Sequence, residues 1–229
     1  MVKRHLKRLA SPKTWPIAKK TLTFIARPLP GPHKMHHQVP ISVFLRDMVG
    51  LAQTQKEVKR ILHKKLCLID GDIAHDNKRP IGLLGIVSLP STKQFFRLGI
   101  NNKNKLYSIV IDEKEASQKI SKVMKKTSLK GGKTQLNTLD GRSFIVDDSN
   151  KYKVGDSLVI SLPDQKINDH IPMQAGATIL LDAGRHVGFV GTIKEIEGTT
   201  VIVSIGQLEF RTKRRYAIVI GKDKPIITL

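Results

Sequence analysis

Lysines and arginines at helical spacing carry the first chemical signal in this chain. Lys56, Lys59, Arg60, His63 and Lys64 recur at steps that place them largely on one face of a helix, while Val58, Ile61 and Leu62 share the other. Such a row offers several donors to successive phosphate oxygens. The segment runs through the apolar stretch Leu66-Cys67-Leu68-Ile69 into Asp70-Gly71, a strong hairpin signal because a tight turn needs residues that tolerate positive φ. A helix with one basic face, delivered into a hairpin, suits the gripping of a nucleic-acid backbone. The bland alternative is a helix pair with a solvated charged face.

Other candidate chemistry is weaker. Gly131-Gly132-Lys133-Thr134 matches the end of a phosphate-binding loop, but Thr127 stands where the first glycine belongs, and strand-like residues follow instead of a helix. A basic loop touching phosphate through Lys133 is the better reading. His33, His36 and His37 cluster without a neighbouring cysteine or carboxylate to complete a metal site. Asp147 and Asp148 are adjacent, so a strand would point them to opposite sides. With no local Ser-His-Asp set, the sequence predicts neither an enzyme nor a cofactor or small-molecule substrate.

What must position the basic residues is itself unusually basic. Across 229 residues, 40 Lys and Arg face 19 Asp and Glu, a formal charge of +21. That field attracts polyanions, and every phosphate neutralised releases counterions and adds affinity independent of sequence. No apolar run approaches the ~18 residues of a bilayer span, which excludes an integral helical membrane protein. The amino terminus lacks the apolar core of a secretory signal, and Cys67 is the only cysteine; together these predict a reducing cytosol, with Cys67 a small apolar filler. Aromatic residues make up only 5%, which argues against a base-stacking platform and for contacts mainly to phosphate.

Along the chain, four regions are expected in an α+β, multidomain architecture. Residues 1–40 contain no acidic residue and six prolines, so they read as a basic extended N-terminal arm that orders only against a polyanion. Its nominated nucleic-acid contacts are Lys3, Arg4, His5, Lys7, Arg8, Lys13, Lys19, Lys20, Arg27, His33 and Lys34. Trp15 joins them, since a solubility tail has little use for a large aromatic group. In residues 41–90, Ile41, Phe44, Leu45 and Met48 mark a first helix ahead of the basic one. Residues 91–172 read as a mainly antiparallel β domain with one helix, opened by Asp112 and Glu115 as a capping box, buried through Ala116, Ile120, Val123 and Met124, and closed by Lys125 and Lys126. Residues 173–229 carry Gly184, Gly188 and Gly191 among β residues, as the bends of a small barrel require, and then the cluster Arg211, Lys213, Arg214 and Arg215.

Three stretches carry family resemblances. The apolar helix, Leu51-Ala52, Thr54 and Glu57 at the start of the second helix, Asp70-Gly71, and Arg79-Pro80 before an apolar strand resemble the alpha-L RNA-binding motif. This implies that the second helix, the hairpin and Arg79 face RNA. Asp182-Ala183-Gly184-Arg185-His186-Val187-Gly188 and the strands around it resemble a KOW motif on an SH3-like barrel, which nominates Arg185 and His186. Lys3-Arg4-His5-Leu6-Lys7-Arg8, Ala10-Ser11-Pro12-Lys13-Thr14-Trp15 and Pro30-Gly31-Pro32-His33-Lys34 resemble the amino terminus of the archaeal and eukaryotic family of small-subunit ribosomal protein four, distinct from the bacterial protein of that number. The order of arm, alpha-L domain, central β domain and KOW barrel matches that family, in its archaeal form. The resemblance implies a structural constituent of the cytoplasmic small ribosomal subunit, with small-subunit ribosomal RNA and neighbouring ribosomal proteins as partners. The rivals are an RNA-modifying enzyme, which needs a catalytic domain not seen here, and a transcription factor, which has no use for a forty-residue basic arm.

Overall fold

The computed structural model describes residues 5–148, 150–206 and 208–229; Lys3 and Arg4 lie outside them. It is an α+β fold of mostly strands and few helices, in two compact units. The first takes in the described residues up to Ile100 together with Lys105–Ser117, and the second Asn101–Asn104 with Gln118–Leu229.

The first unit is built on a five-stranded antiparallel sheet in the order Asp72–Ile73, Leu68–Ile69, Ile86–Leu89, Gln94–Ile100, Leu106–Val110. Its tightest hairpin turns at Asp70 (φ 52°) and Gly71 (φ 87°), the paired positive dihedrals that the sequence signal predicts. The Asp70 carboxylate also accepts the Ile86 amide at 2.9 Å, tying the turn to the central strand. Ile41, Phe44 and Leu45 are wholly buried in a helical stretch that widens into a π-turn over Phe44–Met48. Phe44 packs edge-on to Phe96 at 6.2 Å between centroids.

The expected disordered arm is instead part of this unit as far as it is described. Trp15 is 0% exposed, and its indole N–H donates to the Gln38 carbonyl at 2.8 Å. Gln38–Pro40 pairs antiparallel with Pro80–Gly82, and Leu6–Lys7 pairs with Phe24–Ile25. One large aromatic side chain, with partners supplied from residues 38 onward, offsets the scarcity of apolar residues within the arm itself.

The second unit holds two five-stranded antiparallel sheets. One runs Ser143–Val146, Thr134–Thr138, Gln118–Ser128, Ser157–Ser161, Ile167–Ile171; the other runs Leu208–Lys213, Thr200–Ile205, Val190–Glu197, Thr178–Leu181, Ala217–Gly221. The helix expected from Asp112 to Lys126 is a correction. Only Glu113–Ala116 is helical, and Gln118–Ser128 is the longest strand among the described residues. Glu115 makes no capping box, because its carboxylate reaches the buried Arg97 guanidinium at 3.0 Å. The apolar steps of three and four arise because the pairing register shifts between Val123 and Lys125 and the strand is covered on both faces, with Lys119, Ile120, Ser121, Lys122 and Val123 all buried. Buried Lys119 lies 3.3 Å from Asp140, whose carboxylate also accepts the Ser121 hydroxyl at 2.8 Å. Burial alone would raise the Asp140 carboxyl, but Lys119, the hydroxyls of Thr138 and Ser121, and Arg142 together hold it far below the usual carboxylate range.

Trp15→Ala removes a buried indole and its hydrogen bond, so the first unit loses about 3–5 kcal/mol. Denaturant unfolding, read by hydrogen exchange at Gln38–Pro40, measures the loss; a change under about 1 kcal/mol would contradict an anchoring role.

Candidate nucleic-acid interface

In the first unit, the helix Gln55–His63 is fixed at both chemical levels. Thr54 accepts the Glu57 amide at 3.3 Å, and the Glu57 carboxylate accepts the Gln53 and Thr54 amides at 2.8 and 3.4 Å. This reciprocal cap satisfies amides that the first turn leaves open. Val58 and Leu62 are buried and Ile61 is half-buried, whereas Lys56, Lys59, Arg60, His63 and Lys64 are all exposed. The core therefore pins one face and turns the cationic row outward, as its periodicity predicts.

The remaining nominees of this unit divide by burial. His5, Lys7, Lys13, Lys20 and Lys34 are exposed, and Arg27 and His33 are half-buried. Lys19 is half-buried and donates to the Ser11 carbonyl at 3.1 Å. Arg79 donates to the Ile73 carbonyl at 2.7 Å and sits 3.3 Å from Asp72, so it fastens the hairpin while staying partly accessible. Two nominees are placed where they serve the fold. Trp15 presents no surface, and Arg8 is buried against Asp47 at 3.4 Å, where the same carboxylate also holds Arg46 at 2.6 Å.

A half-buried imidazole and a buried thiol of this unit are held neutral. Burial, with His36, His33 and Lys34 nearby, pushes His37 down to about 4, and burial pushes the Cys67 thiol up to about 12. Cys67 is thus inert at neutral pH. Among the described residues, no group of three or more His, Cys, Asp or Glu could hold a metal ion.

In the second unit, Lys133 is exposed and 3.9 Å from Asp147, in a turn followed by the strand Thr134–Thr138. Arg185 is exposed, and His186 stacks on Phe210 with centroids 4.0 Å apart. Lys213, Arg214 and Arg215 lie together at the end of Leu208–Lys213; Arg215 sits over the Tyr216 ring at 4.9 Å, and Arg211 lies 3.7 Å from Glu197. Arg214 turns inward and donates to the Val154 carbonyl at 2.7 Å.

The residue that sequence reasoning missed here is Lys122. Its ammonium is buried and donates to the carbonyls of Arg214, Arg215 and Ala217 at 3.1, 2.9 and 2.6 Å. It fixes the backbone of the basic turn. Burial lowers it to about 8, against the pull of Asp182 and with a further push from Arg214. Nothing in the local sequence separates it from an exposed lysine such as Lys125.

Comparison with known proteins places these features in a family context. Residues 92–167 match the description of Ribosomal family S4e, and residues 2–36 match the RS4NT domain. The small ribosomal subunit protein eS4 of Methanosphaera stadtmanae is 39% identical over 99% of this chain and 96% of its own. That of Methanocaldococcus jannaschii is 37% identical over 99% of this chain and 98% of its own. The crystal structure of the 30S ribosomal protein S4e from Thermoplasma acidophilum superposes with a TM-score of 0.71 at 33% identity, covering 81% of this chain and 96% of that one.

His37 gives this subsection its test. The unfolded chain takes up a proton at His37 as pH falls through 6.5, while the folded chain resists until about 4. Stability therefore declines as pH drops through that window. Chemical denaturation at pH 7 and pH 5 should show a smaller decline for His37→Gln than for the parent; equal declines would place the effect elsewhere.

Proposed function

The chain belongs to the ribosomal S4e family, and on that premise we propose that it holds small-subunit ribosomal RNA through phosphate contacts made at several separate points. Membership makes it a structural constituent of the small ribosomal subunit in the cytoplasm, not an enzyme. Among the described residues no helix is long and apolar enough to cross a membrane.

The observation that carries the RNA reading is the outward row Lys56, Lys59, Arg60 and Lys64 on a helix whose other face is locked in the core. A row carried on a fixed helix loses little backbone freedom on binding, which favours association. In this reading residues 41–90 act as an alpha-L domain and residues 173–229 as a KOW barrel. Residues 1–40 form the basic arm and residues 91–172 the central β domain. Exposed arm cations such as Lys7, Lys13, Lys20 and Lys34 extend the grip, joined by Lys133, Arg185, Lys213 and Arg215. Neighbouring small-subunit proteins are the second class of partner.

Two measurements test this. The native protein should sediment stoichiometrically with the small subunit through a high-salt sucrose gradient; finding it at the top of the gradient contradicts the role. Changing Lys56, Lys59, Arg60 and Lys64 together to Ala should flatten the slope of log affinity against log salt by about 3 to 4, since each duplex phosphate contact contributes roughly 0.9. An unchanged slope, with the helix intact by circular dichroism, removes this row from the interface.

A further inference from the structure

The second unit contains a groove of about 550 Å³ with an unusual lining. One wall is the bulged strand segment Lys122–Met124 with Val154 and Gly155; the other is the turn Gly198–Thr200 with Lys213–Arg215. Four of its lining residues are cationic and none is acidic. Met124 and Val154, 42% and 47% exposed, give it an apolar floor, beneath which Val123 is wholly buried.

Two further observations show that the groove is held in shape. The buried Lys122 ammonium grips the carbonyls of Arg214, Arg215 and Ala217, so it locks the basic turn and does not itself serve as a contact. Arg214 crosses Gly155, which has φ +103°; a Cβ there would meet Arg214 Nε at 3.0 Å. That Nε is buried and has no hydrogen-bond partner among the described residues, although Nη2 is bound to the Val154 carbonyl. A buried donor without an acceptor is costly, and the grip of Nη2 on Val154 offsets that cost.

Chemistry selects the occupant. An isolated inorganic anion has no use for an apolar floor, and a neutral apolar ligand gains nothing from four cations. A nucleotide has both an aromatic face and a phosphate, and the volume is within the range that encloses small ligands. We propose that this groove receives one unpaired nucleotide of a single-stranded RNA segment. The base lies on Met124 and Val154, and the flanking phosphates meet the exposed Lys213 and Arg215. This rests on the reading of the chain as an RNA binder, and it adds a base contact to a surface otherwise expected to touch phosphate alone.

The test uses the full-length protein and a twelve-nucleotide oligouridylate carrying one 4-thiouridine. Irradiation should place the adduct on residues 122–124 or 154–155, mapped by mass spectrometry; adducts confined to other segments overturn the proposal. Val154→Trp fills the groove from a partly exposed position. It should weaken oligouridylate binding at least fivefold, leaving both the salt slope and the affinity for duplex RNA unchanged. If this variant binds oligouridylate like the parent, the groove is no nucleotide site, although the RNA reading stands. If it fails to fold, the crosslink map of the parent decides. Should the parent bind neither RNA, the underlying reading fails instead. Saturation by UMP alone at the oligouridylate's affinity would make this a free-nucleotide site and overturn the RNA assignment.

Discussion

Nineteen carboxylates must make a chain with forty cations foldable, and where they sit governs much of the structure. Asp47 lies between Arg8 and Arg46, Glu115 meets the buried Arg97, and Asp140 meets Lys119 and Arg142. Each of these carboxylates neutralises a cation that packing has taken out of water, where an unpaired charge would be strongly destabilising. The consequence is spatial sorting. A few anions are drawn inward to the cations the core cannot avoid, while most carboxylates stay exposed among a larger number of surface cations. An excess of charge that opposes folding of the isolated chain becomes the source of its attraction for a polyanion.

Lys122 extends this logic through main-chain oxygens, with Asp182 also pulling on its charge. Three main-chain oxygens at 2.6–3.1 Å solvate its ammonium in place of water. Because these oxygens belong to the turn Arg214–Tyr216 and its flank, the cation organises backbone that displays Arg215 and directs Arg214. Here a buried charge serves as a geometric template for exposed ones.

Much of the first unit could be read from residue order. The face of Gln55–His63, its Thr54–Glu57 cap and the Asp70-Gly71 turn are local features, decided by neighbours within four residues. Trp15 and Arg8 were legible as residues of interest but not in their role, because their partners Gln38 and Asp47 lie 23 and 39 positions away. The strand Gln118–Ser128 was misread for a related reason. A register shift and burial on both faces imitate helical spacing, and only pairing with distant strands reveals the true period. The exposed lysine row was therefore visible in sequence, whereas the groove, made by four segments spread between residues 122 and 215, was not.

The seat of Trp15 also imposes an order on biosynthesis. The indole is held through Gln38, and Gln38–Pro40 gains its strand partner only when Pro80–Gly82 has emerged. At ~5–20 residues per second, translation leaves the arm without its anchor for several seconds. Throughout that interval a leader with no acidic residue before Asp47 protrudes from a particle built of nucleic acid. Until its anchor exists, the nascent arm is therefore drawn to the polyanion nearest it, the machine that produces it.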